Sequence, residues 1–163
     1  MKRRRIIVGM LALLMIVGCA TQQERAERRA KMQLEIALAV TARQLRIDIS
    51  SMSTLRYGSK IVTSDYFLEL RGDTLRSYLP YWGQAYQAPL GSTSIGLNFE
   101  APILRYSEIR PKPNKTQMEV DVKTLEDTYH YFIDLYDTGK AYIRVSSMNR
   151  DPISFDGDFA PIE

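Results

Sequence analysis

The sequence predicts a mainly β domain: an antiparallel meander sheet of about eight strands, open or curled, with one N-terminal helix packed on it. Three observations predict it. Between Thr21 and Arg43 there is no Gly or Pro, and the stretch is rich in Ala, Glu, Arg, Gln and Leu, which favours a helix. After Leu45 apolar residues recur with period two in short runs broken by Gly, Asp, Asn and Pro. The breaks are too short for crossover helices, so consecutive strands must run antiparallel. The 163 residues suffice for one ordinary domain. With 45% hydrophobic and 25% charged residues the chain is neither wholly disordered nor a multi-span membrane protein, and its single cysteine rules out an internal disulfide.

The first element is a targeting segment. Lys2, Arg3, Arg4 and Arg5 precede an apolar run from Ile6 to Val17, which is too short to cross a bilayer core of about 30 Å as a helix. The run ends in Ile16-Val17-Gly18-Cys19, which resembles the bacterial lipobox. That resemblance implies a signal peptide over residues 1–18, cleavage before Cys19 and lipid such as palmitate on its sulfur. Each buried methylene of such a chain contributes about 0.8 kcal/mol, so two or three chains would anchor the protein durably to a membrane without a spanning helix. No Asp follows Cys19, which points to the outer membrane of the cell envelope, with either face open. Residues 1–18 carry four basic residues and no acidic ones, so the 22 basic and 19 acidic residues of the whole chain become 18 and 19, a charge of −1. The basic character belongs to the signal, and nucleic acid is not an expected partner.

Residues 19–43 form the lipidated cysteine and helix. Thr21 and Glu24 match a capping box, and Glu24–Arg28 and Glu27–Lys31 are favourable i,i+4 pairs for a solvated first half. In the second half Met32, Ile36, Ala39 and Val40 make an apolar stripe, widened by Leu34 and Leu38, that should dock on the domain.

Residues 44–163 form the β domain. A Gly72-Asp73 turn suited to type II′ sets Arg71 opposite Thr74, Leu70 opposite Leu75 and Glu69 opposite Arg76. Asp137-Thr138-Gly139 fits a three-residue loop that sets Leu135 opposite Ala141, Ile133 opposite Ile143 and Tyr131 opposite Val145. Further strands are expected over residues 44–49, 93–100, 104–110, 116–124 and 152–156, with Met118, Val120 and Val122 on one face.

Several strings resemble one family. The lipobox, the helix, Ser77-Tyr78-Leu79-Pro80-Tyr81-Trp82-Gly83-Gln84-Ala85-Tyr86, the hairpin from Tyr131 to Val145 and Asn149-Arg150-Asp151-Pro152-Ile153-Ser154-Phe155-Asp156-Gly157 are similar to Bacteroidetes lipoproteins of the domain of unknown function 4251 family. The resemblance implies a β-rich envelope lipoprotein and supplies no catalytic residue.

The residues themselves offer little chemistry. His130, the single histidine, falls opposite Ser146 in the hairpin register, but no third group presents itself to orient the imidazole. With Cys19 lipidated, no Zn site can be built from His and Cys, and no metal or other cofactor is expected. Asp156-Gly157-Asp158 could lend oxygens to calcium, yet Asp-Gly is also an ordinary turn. Asp73-Thr74-Leu75 resembles a short O-glycosylation acceptor at a hairpin turn. The most informative stretch is Leu79 to Gly91, where Tyr81, Trp82 and Tyr86 could form a ligand platform or could fold back over the core. The expectation is a non-catalytic envelope lipoprotein, anchored to the membrane through Cys19, that binds a partner protein, a glycan or another envelope ligand. The alternatives are a lipid or lipoprotein carrier with an apolar cavity, and a glycan hydrolase using Asp134, Asp137 or Asp156 as acids.

Overall fold

The computed structural model describes residues 2–63, 65–84, 86, 96–160 and 162, with side chains from residue 22 onward. One helix, α1 (Lys2–Ala42), precedes nine strands: β1 (Gln44–Thr54), β2 (Gly58–Ile61), β3 (Phe67–Arg71), β4 (Thr74–Leu79), β5 (Leu97–Lys112), β6 (Lys115–Lys123), β7 (Thr128–Tyr136), β8 (Lys140–Ser147) and β9 (Ile153–Ala160).

The sheet closes into a barrel and is not an open meander. Strands β3 to β9 follow one another antiparallel, β1 pairs with β3, and β9 returns to pair with β1 from Arg46↔Ala160 to Thr54↔Ile153. Closure depends on Gly157. A Cβ there would lie 2.3 Å from the Asp48 carbonyl oxygen, so glycine is what lets β9 approach β1 at the bulge between Ile49 and Ser51. Asp156-Gly157-Asp158 is therefore mid-strand and forms no turn.

Both predicted hairpins have the expected registers, with Gly72 and Gly139 at positive φ. Other boundaries differ. The runs predicted over 93–100 and 104–110 join into the single long β5, which passes through Pro102 and bends at a bulge between Ile103 and Arg105; residues 93–95 lie outside the described set. Strand β1 runs on to Thr54 and pairs with β2, a short, exposed strand with no alternation to announce it.

Inward-facing residues at period two fill the barrel. Leu45, Ile47, Leu70, Leu75, Met118, Val120, Val122, Tyr131, Ile133, Ile143 and Phe155 are all fully buried. Eight strands enclose a space just wide enough for such packing. The Tyr131 hydroxyl donates to Ser77 Oγ (3.1 Å), which donates to the Leu97 carbonyl (2.7 Å), so these polar groups in the core are satisfied.

Helix α1 covers one end of the barrel instead of one face of a sheet. Ile36 and Val40 are buried, with Met32 and Ala39 packed beside them, while Leu34 and Leu38 face away and are 61% exposed. Those two leucines do not widen the docking stripe. The helix continues through Thr21, so no capping box opens there. Glu24 and Arg28 pair at 2.5 Å, but Glu27 accepts from Gln23 (3.1 Å) and Lys31 lies near Glu35 (3.9 Å) in place of the expected Glu27–Lys31 pair. The chain leaves the helix at Arg43, which takes a left-handed φ of 50°, ion-pairs with Asp73 (2.7 Å) and accepts from the Gly72 N–H (2.8 Å).

Candidate functional site

The end of the barrel away from α1 is built from loops around residues 55–57, 80–86, 124–127 and 148–152. Of the Leu79 to Gly91 segment, residues 85 and 87–91 lie outside the described set. Tyr81 is partly buried against the core, and its hydroxyl lies in reach of the carbonyls of Gln84 (2.9 Å) and Asp151 (3.2 Å). Burial first, then the Asp151 charge, pushes that hydroxyl up to about 12. Trp82 is partly buried, stacks on Tyr57 at 5.2 Å and lies 5.6 Å from Lys60 Nζ. Tyr86 is exposed, and its hydroxyl donates to the Asp151 carboxylate, which raises its pKa. The three rings do not form one platform: Tyr81 faces the core, Trp82 makes a ledge with Tyr57, and Tyr86 ties down a loop.

What joins these loops was not evident in the sequence. Arg150 is buried, 3.1 Å from Glu126 and 5.2 Å from the Tyr81 ring centroid. Asp151 lies 3.6 Å from Arg56, and the Asn149 N–H donates to Asp127 (3.2 Å). Two backbone bonds, Tyr86 N–H to Asn149 O (2.8 Å) and Asp151 N–H to Gln84 O (3.1 Å), complete the rim. These partners are far apart in the chain, and no local pattern relates them.

Beside the rim lies a groove. Residues Leu97 to Pro102 of β5 pair with β4, while pairing with β6 begins only at Ile103. The gap between this part of β5 and the β6–β7 loop holds a volume of about 650 Å³, with Phe99, Ala101, Leu104, Leu125, Tyr129 and Lys123 in its walls. Phe99 and Tyr129 stack at 5.1 Å and form an apolar floor, and Leu125 is fully exposed at the lip. The volume is typical of small-ligand sites.

The remaining candidates are scattered. His130 does have an orienting group, contrary to expectation: Nδ1 bonds the Asp121 carboxylate, which also lies 2.8 Å from Arg105 Nε. Burial pushes the Asp121 carboxyl up, but the bond to His130 and the nearby charges outweigh it and hold the group below its ordinary value. The β6–β7 register, Asp121↔His130, was the signal that could have found it. Ser146 stands opposite His130 on β8, but β7 and β8 are paired on both edges, so their backbone N–H groups are committed to the sheet and cannot stabilise an oxyanion there.

Asp134 is buried against Lys115 (2.7 Å), and Asp137 accepts from Gln33 (3.4 Å) at the helix end. Asp156 accepts from Ser51 (3.0 Å), and Asp158 lies 2.6 Å from Lys140. Asp134 and Asp156 stand two strands apart with Tyr142 between them, about 10 Å at ordinary strand spacing. Asp73 is exposed at its turn, while Thr74 is half-buried on β4. Among the described residues no three His, Cys, Asp or Glu side chains gather as a metal site, and no helix is long and apolar enough to cross a membrane. The side chain of Cys19 lies outside the described set.

A model of the family described as "Domain of unknown function (DUF4251)" matches residues 27–159. The fold is similar to a crystal structure of a DUF4251 family protein from Bacteroides eggerthii, with a TM-score of 0.64 and 16% identity, covering 83% of this chain and 91% of that one. No curated protein matches.

Proposed function

We propose, given that the chain belongs to the family described as "Domain of unknown function (DUF4251)", that it is a non-catalytic binding barrel of the cell envelope. In this reading residues 1–18 are cleaved as a signal, lipid on Cys19 tethers what is then the N-terminal end of the helix, and the opposite end of the barrel takes a partner protein or envelope ligand. The observation that carries the reading is the groove of about 650 Å³ beside the loop rim, with its stacked Phe99–Tyr129 floor and the exposed Leu125 at its lip. An exposed apolar lip next to a formed cleft is the usual mark of a binding surface. The barrel interior is occupied by Tyr131, Phe155 and their neighbours, which supports a ligand site in this groove over one in a lumen.

Two measurements test it. Labelled palmitate should enter the wild-type chain and fail to enter Cys19→Ala, which should move from the membrane to the soluble fraction. A photo-crosslinking residue at position 125 should give a discrete adduct in intact cells that the same residue at position 34, on the outer face of α1, does not give. Equal adducts at both positions, or none at either, would count against the distal groove as the binding face.

A further inference from the structure

The outer wall of the barrel carries a second, smaller depression that is separate from the distal groove. It holds about 270 Å³ and is lined by His130, Phe132, Tyr142, Arg144 and Ser146 on β7 and β8. Registers His130↔Ser146 and Phe132↔Arg144 set four of these side chains in two adjacent cross-strand pairs, about 5 Å across each pair, with Tyr142 next on the same face of β8.

The chemistry of the lining is one-sided. It contains a guanidinium, an imidazole and a hydroxyl, and no carboxylate. Among the described residues no acid pairs with Arg144, and no side chain bonds Ser146 Oγ or His130 Nε2. The nearest acids in register are Asp156, diagonal to Arg144 on β9 and bonded by Ser51 (3.0 Å), and Glu119, on β6 beyond Phe132. Behind the depression Asp121 holds His130 Nδ1 and is itself held by Arg105 at 2.8 Å, so the imidazole is fixed with Nε2 turned away from the carboxylate. With Nδ1–H given to Asp121, Nε2 accepts from a hydroxyl when the ring is neutral and donates when it is protonated. The Tyr142 hydroxyl donates to Ser154 Oγ (2.8 Å), which fixes that ring as one wall opposite Phe132.

We infer that this depression binds an anionic saccharide: the carboxylate or phosphate on Arg144 and Ser146, a ring hydroxyl on His130 Nε2, and the sugar face against Phe132 or Tyr142. A free arginine supplies charge-assisted hydrogen bonds, and the aromatic walls supply the apolar contact that a bare anion would not use. The row Asp121–His130–Ser146 then serves to orient a ligand, which explains why an aspartate positions the imidazole where no oxyanion hole exists.

The test uses the full chain in a sugar-free non-ionic detergent, titrated with galacturonate, glucose 6-phosphate, galactose, glucose and acetate. Amide shifts by NMR should cluster at residues 130–132 and 142–146 for at least one of the two anionic sugars, with the neutral sugars and acetate binding about tenfold more weakly or worse. Arg144→Gln should remove about tenfold in affinity, as expected for one charge-assisted bond, and His130→Gln should weaken sugar binding without abolishing the preference for anions. Neutral sugars binding as well as anionic ones, acetate binding as well as the sugars, shifts confined to the distal groove, or no binding at all would each overturn the inference. The groove reading stands or falls separately, on crosslinking at position 125.

Discussion

At the helix end of the barrel three short connections, Gly72-Asp73, Pro113-Asn114 and Asp137 to Gly139, meet α1, and Ile36 and Val40 are buried over the barrel mouth. At the other end four loops are laced by Arg150–Glu126, Arg56–Asp151, Asn149–Asp127 and Tyr86–Asp151, and a groove is left open beside them. The first end is closed by apolar burial, which is non-directional and strong; the second is closed by polar ties with specific partners, each worth less. A binding face is better placed at the second, where local opening costs less than global unfolding.

The largest effect should therefore come from the helix end. Ile36→Ala is expected to cost about 2 to 4 kcal/mol in urea unfolding, the range for truncating a buried aliphatic side chain. Leu34→Ala, on the exposed face of the same helix, should change stability by no more than about 0.5 kcal/mol. Equal costs would mean that α1 does not plug the barrel in the way described.

Next in size is the distal lacing. Arg150→Met removes the pairing with Glu126 and the contact with Tyr81, at a cost of about 1 to 3 kcal/mol, reduced from the fully buried case because Glu126 keeps access to water. Its signature is regional: hydrogen exchange should quicken in residues 80–84, 124–127 and 148–152 while α1 and the β7–β8 turn stay protected. Uniform quickening would show that the two ends are one cooperative unit. Trp82→Ala comes lower, at about 1 to 2 kcal/mol, because the ring is only partly buried and leans on Tyr57. A cost of about 3 kcal/mol or more would recast Trp82 as core.

The same contrast explains what could be read from the sequence. Gly72 and Gly139 announce their turns locally, and period-two runs such as Met118-Glu119-Val120-Asp121-Val122 give the inward face, so the registers at the helix end followed directly. Closure did not, because it depends on β9 meeting β1 across most of the chain and on Gly157 sitting beside the Asp48 carbonyl, which reads in isolation as an Asp-Gly turn. Leu34 and Leu38 could not be separated from Ile36 and Val40 by composition, since all four are helical aliphatics and only the docking angle divides them. Tyr81, Trp82 and Tyr86 stood out as a group, but their separate tasks come from Arg150, Asp151 and Tyr57, residues with no local reason to be linked to them.

The smallest effect should lie in the wall between the two ends. The Asp121 carboxyl is held below its ordinary value in the folded chain, so its charge stabilises the fold above the unfolded value of about 3.9, and that contribution disappears as the pH falls through the lower folded value. Asp121→Asn should therefore be less stable than wild type at pH 7, and the gap should shrink steadily below about pH 4. Urea unfolding at pH 7, 4 and 3 measures it. Because the change touches neither the helix plug nor the distal lacing, hydrogen exchange at both ends should quicken by the same small factor. A gap that persists unchanged at pH 3 would mean that Asp121 acts through the shape of its bonds to His130 and Arg105 and not through its charge, and an effect confined to one end would show that the wall transmits strain between them.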